Sequence, residues 1–525
     1  MPHHLWRARS LGVLKPRLAF NEPSPSHKEA IKSFHAIALT FTLDGNRRNE
    51  IISKRQNHRV APKLSQPTKL VRGLSLLDSI LLLTGGIIGS GIFLTAKDIA
   101  ASTRTPGMFL SIWVIGVAIT MLACFAFAEI GAMFPEAGGQ YVYIREAYGE
   151  FAAFLYGWMI FTVSVGGTIA ALGAGFAEYA GHVFPALQAS HPVLDLGFFT
   201  LTRGHLVAVG AIALQTAVNI FGVRRGAALQ NVATWCKFAA IAAFVLLGLA
   251  IGKGSWTHYS QPLPAAPGSP SLLAGIGVAL IAVFWAYDGW VYITWVAGEV
   301  KDPQRNLPRA LIFGLLIVGV LYLLINLTYL YALPMSEIAS QTAVAQAAAV
   351  SMFSAGAGRW LALMIAISCF GAMAAAVMTG ARVYYAMAED GVFFRALARV
   401  SPRWRTPVAS LVLQGVWSAA LALSGRYDQL FTYVMFMMVL SYLLTVLAVF
   451  VLRRKMPDAH RPYRCTGYPW LPALYVIITG AWAVNALVEK TGEALAGIAI
   501  VLVGVPLYFY WKSQKQKTAK TVTNS

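Results

Sequence analysis

The chain has 525 residues, of which 57% are hydrophobic and only 12% charged. Water-soluble domains carry about 25% charged residues, so this composition excludes a soluble globular fold of this length. The net charge of +20 would suit a nucleic-acid partner, but the basic residues sit in loops and tails between long apolar blocks. That is the pattern of a membrane protein with a basic cytoplasmic face, and no nucleic-acid partner is expected.

Residues 1–72 are polar and basic, ending in Arg47, Arg48, Lys54, Arg55 and Arg59. They hold no apolar core followed by a small-residue cleavage site, so a secretory signal is excluded. The segment reads as a disordered cytosolic tail, as an upstream extension of a shorter chain, or as a transit peptide. From Leu74 onward twelve apolar blocks follow, at about 76–96, 108–134, 149–181, 204–221, 229–252, 272–298, 309–333, 358–388, 407–424, 429–452, 469–488 and 493–511. Most have the length of a transmembrane helix. Alternating segments of about 10 residues, the mark of a transmembrane β-barrel, are absent. The spacing predicts an all-α polytopic membrane protein with a twelve-helix domain over 73–512 and a cytoplasmic tail over 513–525. The Ala-rich stretch 334–357 is expected to form a short interfacial helix.

An even number of spans puts both termini on one side. That side carries 33 of the 42 Lys and Arg residues and the other side 7, with Lys237 and Arg382 inside spans. The positive-inside rule then predicts cytoplasmic termini, in a plasma membrane, with a bacterial inner membrane as the expected setting.

Two blocks contain helix-breaking sequence. The first reads Thr84-Gly-Gly-Ile-Ile-Gly-Ser-Gly-Ile-Phe93. Each glycine costs about 1 kcal/mol against alanine in a helix interior. Gly85 and Gly86 suit close helix packing, whereas Gly89, Ser90 and Gly91 invite unwinding. Free N–H groups at the start of the second half-helix would attract a carboxylate, and Ser90 could add a hydroxyl donor. The sixth block reads Val283-Phe-Trp-Ala-Tyr-Asp-Gly-Trp290. Asp288 inside a span costs about 2.5–3.5 kcal/mol on insertion scales and is a functional candidate by default. The Asp288-Gly289 pair predicts a second break, with carbonyls around Trp285, Ala286, Tyr287 and Asp288 suited to an ammonium group. Trp285, Tyr287 and Trp290 offer aromatic surface for occlusion. Asp288 reads equally as a cap of the second half-helix.

Blocks 1 and 6 each begin a group of five spans. Interrupted helices at matching positions in two halves point to a transporter site between inverted repeats. Donors from one break and carbonyls from the other match the α-carboxylate and α-ammonium of an amino acid. Lys237, well inside block 5, can stand in for a bound cation and carry a proton, or it can snorkel to the interface. Arg382 and Glu129 lie toward the cytoplasmic ends of blocks 8 and 2 and read as inner-gate or structural ion pairs. Cys124, Cys236 and Cys369 fall in apolar blocks and Cys465 in a basic loop, so no disulfide is expected. No metal-ligand spacing, nucleophile elbow or phosphate loop is present; no metal, no cofactor and no enzymatic activity are expected.

These motifs together resemble a known group. Gly89-Ser-Gly-Ile-Phe93 is similar to the first-helix signature of the amino acid–polyamine–organocation (APC) superfamily. Ala286-Tyr-Asp-Gly-Trp290, followed by Val296-Ala-Gly-Glu-Val-Lys-Asp-Pro-Gln-Arg-Asn-Leu-Pro308, resembles the sixth helix and inner loop of its L-type amino acid transporter branch. Phe134–Gly149 and Gly380–Gly391 also match the family style, so the resemblance covers about residues 70–512. It implies a five-plus-five inverted-repeat, leucine-transporter-like fold with two extra helices, and transport by alternating access. By position, Ile87, Ser90 and Gly91 would hold the substrate backbone, with Gly89 in the same motif. Trp285 would take the aromatic gate position. Asp288 stands where some members have glycine, and members with Asp include carriers of cationic substrates. Lys237 matches a lysine that replaces a sodium ion in related carriers, which implies sodium-independent proton symport or exchange. Glu299 and Arg382 would belong to the inner loop and gate.

The chain departs from the pattern at Val291, where the motif often has Asn. It also lacks a cysteine over 182–203, where heteromeric animal members bond a heavy subunit, so no disulfide-linked partner is expected. The reading is an amino acid carrier of prokaryotic type, with neutral substrates favoured. Cationic amino acids or polyamines, and a transporter-like sensor that binds without flux, are the alternatives.

Overall fold

The computed structural model describes residues 70–188, 190–197, 200–264, 272–424, 427–489 and 491–523. The tail predicted over 1–72 therefore lies outside the described residues, apart from 70–72. Eight helices among the described residues are long and apolar enough to cross a membrane, and three shorter apolar ones accompany them at Ala274–Ala286, Val408–Ser424 and Trp470–Asn485. The fourth block forms the helix Arg203–Ile220. The chain is a polytopic α-helical membrane protein.

The two expected breaks are present. The first broken helix runs Leu76–Ile87, opens at Ile88–Ser90 and resumes at Gly91–Leu94. The second runs Leu272–Ala286, turns, and resumes at Tyr292–Trp295. The first starts on a capping box, in which Ser75 and Asp78 exchange hydrogen bonds and satisfy orphan amides.

Around these two the long helices pack by their small residues. The Ala355–Glu389 helix is buried along most of its length and lies against Val165–Val183, Val223–Ile251 and the first broken helix. Its Gly371 leaves room for the Lys237 side chain, whose Nζ would stand 3.3 Å from an added Cβ. The outward faces are apolar instead. Leu246, Leu247 and Ile251 are exposed on one helix and Val416 on another, as lipid-facing surfaces require.

Four elements differ from the sequence reading. The first broken helix continues past residue 96 as Ala96–Thr103, because Lys97 and Asp98 end the apolar run but not the helix. The stretch 334–357 forms two short helices, Met335–Ser340 and Val344–Met352, rather than one. The last helix runs Thr491–Thr523 and takes up the segment read as a tail from 513. The loop after block 2 holds the helix Gln140–Tyr148, which starts after Gly139 at positive φ.

Candidate functional site

The two breaks touch each other. Gly289 has φ +97, and a Cβ there would stand 2.9 Å from the Gly86 carbonyl oxygen. Only glycine allows both the left-handed turn and this approach. On the other side of the crossing, a Cβ on Gly91 would stand 2.9 Å from the Ala286 Cα and 3.3 Å from the Trp285 indole. Each glycine thus lets one unwound backbone lie on the other.

The opened backbone leaves polar groups at the crossing. Among the described residues no carbonyl accepts from the amides of Ser90, Gly91 or Ile92. Carbonyls of the two breaks converge on one donor: the Tyr322 hydroxyl bonds Ile87 O at 3.1 Å and Ala286 O at 2.9 Å. Unpaired N–H groups at a half-helix start attract anions, and converging carbonyls attract cations.

Lys237 is the cation already there. Its Nζ donates to Gly85 O at 2.7 Å and Ile88 O at 2.6 Å and is buried. This corrects the snorkelling reading, since the head group turns into the break and not toward an interface. It ends a polar ladder along the first broken helix. Asn231 bonds Asp78, then Gln230 and Thr234 bond Leu81 O, and Lys237 follows one turn on. Positions three to four apart share one helix face. Ser368 adds a hydroxyl to Ile88 O at 2.9 Å. A small cavity of about 10 Å³ beside Lys237 is lined by Phe93, Phe244, Tyr329 and Ser368.

Asp288 is 9% exposed, and its carboxylate accepts from the Tyr442 hydroxyl at 2.5 Å. The second half-helix has no side-chain cap, so the capping role expected for Asp288 is not what it does here. The Tyr287 side chain turns away from the crossing: its hydroxyl donates to Trp113 O and its ring packs on Trp113 and Tyr322. Trp290 packs on Phe127 and Tyr442.

Buried ion pairs lie apart from the crossing. Arg382 and Glu299 are both fully buried and doubly bonded, at 2.6 and 3.2 Å. Removing one member of such a pair costs about 3–5 kcal/mol. Beside it, Gly73 and Leu74 donate to Glu299 O, and Lys301 donates to Leu74 O, tying the start of the first broken helix to the end of the second. Glu129 is held by Arg453, Arg461 and the Cys465 amide.

The structure therefore brings Ile87, Ser90, Gly91, Trp285 and Ala286 together, sets Gly89 and Lys237 beside them on the first break and Asp288 on the second, and places Glu299 and Arg382 elsewhere. Sequence reasoning missed Tyr322, Ser368 and Tyr442. Each lies in a long, mainly apolar helix and finds its partner on another element, which the helix's own sequence pattern does not show.

The amino acid permease family matches residues 74–507 of this chain. The chain belongs to this family, within the APC superfamily. The permease is 31% identical to the serine/threonine exchanger SteT of Bacillus subtilis, over 85% of this chain and 98% of that one. It is 29% identical to the b(0,+)-type amino acid transporter 1 of Mus musculus, over 87% and 92% of the two chains. The Asc-type amino acid transporter 1 of the same species is 28% identical over 88% and 85%. The permease is a multi-pass membrane protein of secondary amino acid transport and not an enzyme.

Proposed function

We propose that the permease exchanges neutral amino acids across the plasma membrane, independently of sodium, at the crossing of its two broken helices. The α-carboxylate binds the amides of Ser90, Gly91 and Ile92, and the α-ammonium binds the carbonyls of Ile87 and Ala286. The observation that carries this is the pairing of three unbonded amides with carbonyls of both breaks at one place. Gly89 gives the break its freedom, Trp285 covers the bound backbone, and Tyr287 anchors the second break to its neighbours. The serine/threonine exchange named for SteT supports a neutral substrate.

Lys237 favours a second reading, proton-coupled uptake, because a buried ammonium on the first break can exchange a proton where another carrier would bind a cation. Twelve spans in two inverted repeats of five plus two, with both termini cytoplasmic, fit the matching positions of the breaks. In that topology Glu299 and Arg382 form the inner gate, opened when the helices that carry them part. The chain acts without a disulfide-linked heavy subunit.

Counterflow in sodium-free proteoliposomes tests the proposal, with purified permease, labelled amino acids, and a pH gradient present or absent. Uptake of neutral amino acids without a gradient is expected. Binding without flux of any amino acid would overturn the proposal in favour of a sensor.

A further inference from the structure

We infer that Tyr442 sets the charge selectivity of this permease by holding the Asp288 carboxylate. The inference rests on the site proposed above. Asp288 is an acid on the second break that meets a phenol and no cation: among the described residues no Lys, Arg or His lies within ion-pair distance of it. The titratable groups that feel its charge are Tyr156, Tyr292 and Tyr442. An ionised carboxylate buried without a cation is costly unless it is hydrogen-bonded, and Tyr442 supplies that bond at 2.5 Å.

The phenol is fixed from both sides. Its ring centroid lies 5.4 Å from that of Trp290 and 6.1 Å from that of Phe127. It also lines a small cavity of about 20 Å³ with Thr120, Phe284, Val439, Tyr475 and Thr479. A neutral substrate leaves the Tyr442–Asp288 bond in place. A cationic side chain that pairs with Oδ1 of Asp288 must compete with the phenol for it. Tyr442 therefore biases the site toward neutral substrates, although the acid could attract a cation.

Tyr442→Phe keeps the ring and its packing and removes the donor. Counterflow of labelled serine and arginine by the full-length protein is expected to show the arginine-to-serine ratio rising about tenfold, the worth of one hydrogen bond to a charged group. Adding Asp288→Asn is expected to return the ratio to the wild-type value. An unchanged ratio in Tyr442→Phe, or a rise that survives Asp288→Asn, would overturn the inference. Where a variant moves neither substrate, thermal stabilisation of the purified protein by serine and by arginine gives the same ratio for binding and is judged by the same outcomes. Wild-type protein that binds both but moves neither would overturn the transport reading, while the binding ratio still decides the role of Tyr442.

Discussion

Gly91→Val abolishes uptake, by about a hundredfold or more, while the protein still inserts and purifies as a monodisperse species. The expectation comes from contact and not from glycine flexibility alone. A Cβ at this position meets the Ala286 Cα at 2.9 Å and two indole atoms of Trp285 at 3.3 and 3.4 Å. Backbone cannot yield as a side-chain tip can, and valine adds two methyl groups to that Cβ. Overpacking of this kind costs about 1–3 kcal/mol where a core is otherwise intact. Here it would fall on the contact between the two breaks and on an amide proposed to bind the carboxylate. Gly210 is the control, since an added Cβ there meets nothing within 4 Å. Gly210→Ala should transport as the wild type does. Full uptake by Gly91→Val would remove the first break from the site.

Lys237→Ala should lose at least about tenfold in flux and its response to an imposed pH gradient, while substrate binding changes by less than about threefold. The ammonium bonds the carbonyls of Gly85 and Ile88 and does not touch the three open amides. Its loss leaves buried acceptors short of a donor, which costs about 1–3 kcal/mol, and it removes the charge that a coupled proton would carry. Ser368 keeps one bond to Ile88 O, so the break is not wholly released. Flux and binding measured on one preparation separate the roles. An unchanged response to the pH gradient would leave Lys237 as a purely structural tie.

The breaks were legible because their cause is local. Four glycines in ten residues, and an Asp-Gly pair inside an apolar block, oppose a continuous helix whatever surrounds them. Lys237 was legible as unusual, but its direction was not, because the snorkelling and inward conformers share one sequence position. The carbonyls that receive it exist only once the first break has opened. The role of Asp288 was open for a related reason: its partner lies 154 residues away in a helix whose apolar pattern gives no hint of pairing. Tyr287 read as pocket surface from its place in the motif, yet Trp113 and Tyr322 draw its ring into packing. The last helix outran its apolar block, since a helix emerging from lipid can continue with polar residues as its backbone bonds propagate.

The central claim is that the crossing reads both ends of an amino acid backbone. Competition in the counterflow assay tests it most directly. A transported amino acid is compared with two analogues, the amine lacking its carboxylate and the acid lacking its ammonium. The account predicts that neither analogue competes even at about a hundredfold excess, since each loses a charge-assisted set of hydrogen bonds. Competition by either analogue at the concentration of the parent amino acid would contradict it.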